Sequence, residues 1–236
     1  MAALVVAMSF TKPSDECKLN IQFQNYVGNE VLILDKGNYK NDLGQAYTIS
    51  KFKYYVGDIR LKKKDGSEFS EPQYYLLNED EEASRQISLN KVPDGDYTCI
   101  SFLVGVDSIH NCSGAQSGAL DPVNGMFWAW NTGYIFLKLE GNSPASKSPG
   151  HIFEFHIGGY KQPVNCIRRI TLPFKESFKI AKGKVNALSI KTDIAEILKS
   201  PNSIDFSKMS SVTDFHNAGL IADNYADMFS ILNVGK

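Results

Sequence analysis

The chain has 236 residues, 43% hydrophobic and 22% charged, a balance that excludes intrinsic disorder, collagen-like repeats and a multi-span membrane protein. Its 25 basic and 26 acidic side chains give a formal charge of -1, so no general field marks a nucleic-acid or anionic-membrane surface. Function must be sought in local sites.

Residues 1–9 resemble the apolar core of an export signal, with small residues at Ala7 and Ser9 but no basic segment before it. Residues 1–17 are therefore expected to be a truncated export signal or a flexible N-terminus, with a first strand as the bland alternative. Residues 18–236 are expected to form a single domain. Ser14-Asp15-Glu16 before Cys17 makes no lipobox, and no apolar run is long enough to cross a bilayer. The other cysteines are Cys99, Cys112 and Cys166. None forms a C-x-x-C pair, and the pattern allows three disulfide pairings without choosing among them.

Strand signals dominate. Leu19, Ile21 and Phe23 alternate with polar neighbours, a second run covers residues 31–34, and residues 46–61 form one long or bent strand, or two, before the Asp65-Gly66 turn. Runs over residues 74–77 and 86–89 follow, and residues 97–106 are apolar on both faces, as a central strand is. Residues 106–125 accumulate Gly, Ser, Asn and Asp without periodicity, a loop longer than a simple connection needs. Strands resume over residues 134–139, 151–157, 166–172 and 185–190. Residues 193–199 and 214–232 are expected to be helices, the second capped by Asp214, with Leu220, Ile221, Tyr225, Met228, Phe229 and Leu232 as its buried stripe. The expected class is all-β, a single β-sandwich domain with C-terminal helical segments.

Histidine chemistry must draw on His110, His151, His156 and His216. His151 and His156 lie five apart on one candidate strand and would face opposite ways; His216 is expected to be exposed. His110 and Cys112 would share a side if extended and hold a soft metal, although an exported cysteine is more often in a disulfide. Met126, Trp128 and Trp130 alternate, as core or as an aromatic ligand platform. Asp107 and Asp121 flank the loop as a carboxylate pair of glycosidase type, or stabilise turns or bind calcium together with Asn111 and Asn124. The chain has no G-x-S-x-G, H-E-x-x-H or P-loop.

The loop also carries a resemblance. Gly105-Val106-Asp107-Ser108, Ser113-Gly114-Ala115-Gln116, Gly118-Ala119-Leu120-Asp121-Pro122 and Gly125-Met126-Phe127-Trp128-Ala129-Trp130-Asn131-Thr132-Gly133-Tyr134-Ile135 resemble the MbnP-like domain, in its Bacteroidetes-type branch. Lys138-Leu139-Glu140-Gly141, Phe155-His156-Ile157-Gly158-Gly159 and the aromatic strand with Tyr54-Tyr55 extend the likeness over residues 18–190. That family includes copper-binding periplasmic proteins of the metallo-mystery pairs. The resemblance implies an exported β-sandwich, in the periplasm or at the cell surface, with a mononuclear copper site. A partner di-haem enzyme of the MauG/cytochrome c peroxidase type would oxidise one tryptophan to kynurenine. By the same motifs His156 is the expected histidine ligand and Trp128 or Trp130 the modified residue. One departure is that Cys112 stands where a second histidine is expected after Asn111, so Cys112 or His110 substitutes as ligand or the metal has been lost. Two functions follow as expectations: a copper-binding partner, substrate rather than enzyme, or a metal-free surface module holding a peptide or carbohydrate on the two indoles.

Overall fold

The computed structural model describes residues 16–128, 130, 133–213 and 217–235. The N-terminal segment read as an export signal lies, up to residue 15, outside the described residues. Strand β1 (Glu16–Val27) buries alternate residues along its whole length, placing Cys17, Leu19, Ile21 and Phe23 inward. It turns at Gly28 into β2 (Glu30–Val31), so the second expected run is reduced to a short hairpin arm. Strand β3 (Tyr39–Lys40) pairs with the start of β4 (Ala46–Lys63), which is one continuous strand. It bends at Asp58, which has φ 45° and lies where the register with the next strand shifts. Arg60 and Arg169 both pair with the Asp58 carboxylate.

Strands β5 (Glu68–Asn78), β6 (Gln86–Pro93) and β7 (Gly95–Val104) follow, then helix α1 (Ser108–Cys112) inside the long loop. Two small hairpins, β8 (Phe127–Trp128) with β9 (Gly133–Tyr134) and β12 (Tyr160–Lys161) with β13 (Val164–Asn165), flank the longer hairpin of β10 (Leu137–Asn142) and β11 (Ile152–Ile157). The chain continues through β14 (Arg168–Ile180), β15 (Ala187–Asp193), helix α2 (Ile194–Ile197), β16 (Ser211–Val212), helix α3 (Ala218–Tyr225) and β17 (Phe229–Val234).

The C-terminal reading needs correction. The first helix forms, capped by Asp193, whose carboxylate accepts from the Ala195 N–H at 3.1 Å. The second stops at Tyr225, and residues 229–234 instead pair antiparallel with β15. Met228 and Phe229 are buried in either period, so their spacing could not separate helix from strand; the open edge of β15 decides it. Leu220 and Leu232 are part-exposed rather than buried, and Asp214 lies outside the described residues.

One sheet runs β17-β15-β1, with β2 and β6 also on β1, and contains the parallel pair β1 and β15. The larger sheet runs β14-β7-β4-β10-β11-β16, with β3 and β5 also on β4. The two pack face to face through aromatic rings. Phe23 and Phe229 of the smaller sheet meet Phe102 and Tyr54 of the larger one, at centroid separations of 5.7 Å for Phe23–Phe102 and 5.9 Å for Tyr54–Phe229. The fully buried Tyr54 hydroxyl lies 2.9 Å from Thr192 Oγ1 and 3.3 Å from Asn25 Oδ1, joining the sheets by polar contact inside an apolar layer.

Replacing Tyr54 by Phe keeps the ring and strands Thr192 without its partner. The expected loss is about 1–3 kcal/mol in unfolding free energy, read from urea denaturation; an unchanged midpoint would show that the hydroxyl contributes nothing across the sandwich.

Candidate functional site

Residues 54–57 of β4 are buried on both faces, on one side by the smaller sheet and on the other by the long loop. The loop is tied down by tyrosines. Tyr55 OH donates to the Ala119 carbonyl at 2.9 Å, Tyr134 OH to the Leu120 carbonyl at 2.7 Å, and Tyr74 OH to Asp107 Oδ2 at 2.7 Å. Asp107 caps α1 by accepting from the His110 N–H at 2.9 Å. Burial pushes its carboxyl upward, but hydrogen bonds from Tyr74 and His110 outweigh this and hold it below the usual carboxylate range. The same carboxylate accepts from His110 Nδ1 at 2.8 Å, leaving Nε2 of that ring as the acceptor nitrogen.

The other polar loop residues have separate duties. Asn111 is buried; its amide donates to the Val106 and Asp107 carbonyls at 2.6 and 2.9 Å and accepts from the Tyr134 N–H at 3.0 Å. Asp121 caps a turn through the Val123 N–H at 2.9 Å, and Asn124 donates to the Gly118 and Ala119 carbonyls, each at 3.0 Å. These side chains stabilise distinct turns.

His110 and Cys112 do not share a side. The expected extended geometry is replaced by a helical turn, in which residues two apart point about 200° apart. His110 rests edge-on against the Tyr74 ring at 4.9 Å, whereas Cys112 faces the Tyr160 hydroxyl at 3.6 Å. All four cysteines are in the thiol form, with no disulfide. His151 precedes β11 rather than lying on it and sits 2.9 Å from the Ser146 carbonyl through Nδ1. His216 lies outside the described residues.

His156 lies on β11 opposite Lys138 of β10. Its Nε2 is 2.8 Å from Glu140 Oε1, and Lys51 Nζ is 3.0 Å from Glu140 Oε2. The hydrogen bond from His156 is the main reason that the Glu140 carboxyl lies at about 2 instead of 4.5. An ionised carboxylate only accepts, so Nε2 carries the proton and the lone pair of the neutral ring sits on Nδ1. This carboxylate-oriented imidazole is the arrangement typical of metal-ligating histidines.

Met126, Trp128 and Trp130 do not form one face. The strand lasts only two residues; Met126 enters the core, Trp128 is 7% exposed and Trp130 is 71% exposed. The two indoles still touch, with centroids 5.8 Å apart at 48°. Ala129, Asn131 and Thr132 of the same motif lie outside the described residues. Trp128 packs on Gly158, where a Cβ would come within 2.5 Å of the indole, so only glycine admits the ring there. Gly158 follows β11 directly, two residues after His156, so Trp128 packs against the end of the strand that carries His156. Glu140 and Gly158 belong to motifs visible in the sequence, but their roles depend on cross-strand pairing; Tyr74 and Tyr160 carried no local signal.

Two measurements follow. Because the folded Glu140 binds its proton less readily than the unfolded chain, its stabilising effect is complete above about pH 4.5 and is lost as pH falls toward 2. Glu140→Gln is therefore expected to flatten the fall of urea stability with pH across that window, and an unaltered slope would remove the His156–Glu140 bond from the acid response. Cys112 is exposed while Cys166 is buried, its thiol pushed up to about 12 by burial. Peptide mapping after brief iodoacetamide treatment is expected to find label on Cys112 at least about tenfold ahead of Cys166.

No curated protein matches this chain. Among solved structures it is similar to MbnP from Methylosinus trichosporium at 14% identity and a TM-score of 0.60, over 94% of this chain and 99% of that one, a likeness of fold. The sequence itself matches the MbnP family over residues 16–215, and on that match the chain belongs to the MbnP family.

Proposed function

We propose that this chain is an exported, copper-associated member of the MbnP family, a substrate and partner of a di-haem enzyme rather than a catalyst. The observation that carries this reading is a carboxylate-held imidazole, His156 on Glu140, on the strand whose end at Gly158 is packed by Trp128. Family membership supports the copper association. No helix among the described residues is long and apolar enough to cross a membrane.

Tested against copper, the side chains fit one imidazole ligand and stop there. Among the described residues no three His, Cys, Asp or Glu side chains gather as a metal cluster. A further donor has to come from elsewhere. An intact indole is a poor ligand, whereas kynurenine brings an aromatic amine and a ketone. Trp128, packed on Gly158, is our choice for that role, and exposed Trp130, in ring contact with it, offers a path for oxidation by an enzyme docked outside. Ile109 and Val123 of the same loop are also exposed, giving such a partner apolar surface. When bound, copper would supply a one-electron couple. The protein's part is to orient Nδ1 of His156 through Glu140 and to keep Trp128 from bulk water.

The test is peptide mass spectrometry of protein from its native host, searching the segment over residues 126–134 for a tryptophan that has lost one carbon and gained one oxygen. The expected site is Trp128. Copper-loaded His156→Ala is then expected to retain at least about tenfold less metal than the parent after dialysis against a weak chelator, with His110→Ala unchanged. Intact indoles at both positions, or equal retention by His156→Ala, would defeat this reading.

A further inference from the structure

We propose that the cleft between the β8–β9 and β12–β13 hairpins binds a small, flat aromatic carboxylate, a ligand independent of copper. The cleft encloses about 430 Å³, within the range of small-molecule sites, and both hairpins stand beside the end of β11. One wall is Trp128 and Tyr134; the other is Tyr160, Pro163 and Val164. Three aromatic side chains, a proline and a valine make this lining largely apolar, which suits a hydrophobic ring.

The polar groups narrow the class. Asn111 reaches the cleft, but its amide is already committed to the Val106 and Asp107 carbonyls and the Tyr134 N–H. Tyr134 OH is committed to Leu120 and Tyr160 OH faces the Cys112 thiol. Gln162 and Lys161 remain. Among the described residues lining the cleft Lys161 carries the one charge, and no acidic side chain lines it. The Lys161 ammonium sits 5.5 Å from the Tyr160 ring centroid, and among the described residues it makes no ion pair. A cation over an aromatic wall without a carboxylate partner is complementary to an anion. A sugar would place several hydroxyls against aromatic and proline side chains, where the described lining offers few uncommitted polar side chains.

The two tryptophans allow a clean readout. Trp130→Phe leaves Trp128 as the sole indole, and its side-chain N–H signal in a nitrogen-15 correlation spectrum reports on the cleft. The protein is made without a di-haem enzyme and stripped of metal, so the outcome is separate from that of the copper proposal. 2-Naphthoate is expected to shift the Trp128 signal saturably, with neutral 2-naphthalenemethanol about fivefold weaker, as one partly exposed ion pair provides. Lys161→Gln is expected to erase that difference while leaving the folded spectrum intact. Equal binding of the acid and the alcohol, tighter binding of cellobiose, or no shift with any of the three would overturn the assignment.

Discussion

Burial of strand β4 on both faces is the constraint to which the rest of the molecule answers. Tyr54 and Tyr55 are neighbours in sequence and point to opposite sides of the strand, yet both are fully buried. The smaller sheet covers Tyr54. Away from the loop the outer face of the larger sheet carries the cross-strand neighbours Lys51, Lys53, Lys138, Glu140 and Glu154, a charged surface costly to cover with an apolar sheet. The long loop covers Tyr55, bringing Leu120, Met126 and Tyr134 as apolar material. Its path is thus set by packing, and the residues it carries reach the middle of β4, the start of β10 and the end of β11 as a consequence.

A loop without a strand ladder must satisfy its own backbone, and here side chains do that work. Tyr55 and Tyr134 each meet a carbonyl, Asn124 meets two, and Asn111 fixes both the start of the loop and the β9 backbone. This explains why asparagine stands at positions 111 and 124 and why the segment faces tyrosine at 55 and 134. It also separates two kinds of residue that look alike in sequence. Asp121, Asn124 and Asn111 hold the loop in shape, whereas His156 keeps Nδ1 outside its bond to Glu140.

Alternation alone made the sandwich legible: Leu19, Ile21 and Phe23 announce one inner face, and residues 97–104 a central strand. The bend in β4 was ambiguous because Asp58 reads as an ordinary polar residue until Arg60 and Arg169 are seen to converge on it. The last strand was hidden for a different reason. Its apolar spacing fits helix and strand alike, and the choice rests with the edge of β15, more than thirty residues earlier in the chain. At the site, His156 and the tryptophans were visible as residue types. Their environment was not, because the fixed Nε2 proton depends on Glu140 across a hairpin and the seat of Trp128 depends on Gly158. The His110 and Cys112 pair failed because a five-residue helix capped by Asp107 replaced an extended segment.

His110 and His156 each have one nitrogen committed to a carboxylate, so orientation alone does not rank them as ligands. Their mountings do. His110 rides on one short helical turn within a loop and is more than a third exposed, whereas His156 is 17% exposed on a strand paired along its length. A metal bond gains from a donor already immobilised, since less side-chain entropy is lost on binding. Glu140 also receives Lys51, which fixes the carboxylate that fixes the ring. Under the proposed function this rigid single donor has a further consequence. A finished set of imidazoles and thiolates would bind whichever late first-row metal it met first, because affinity follows the metal before it follows the protein. One imidazole without a modified indole would hold such metals weakly, so the covalent change at Trp128, and not folding, would decide when the site becomes competent.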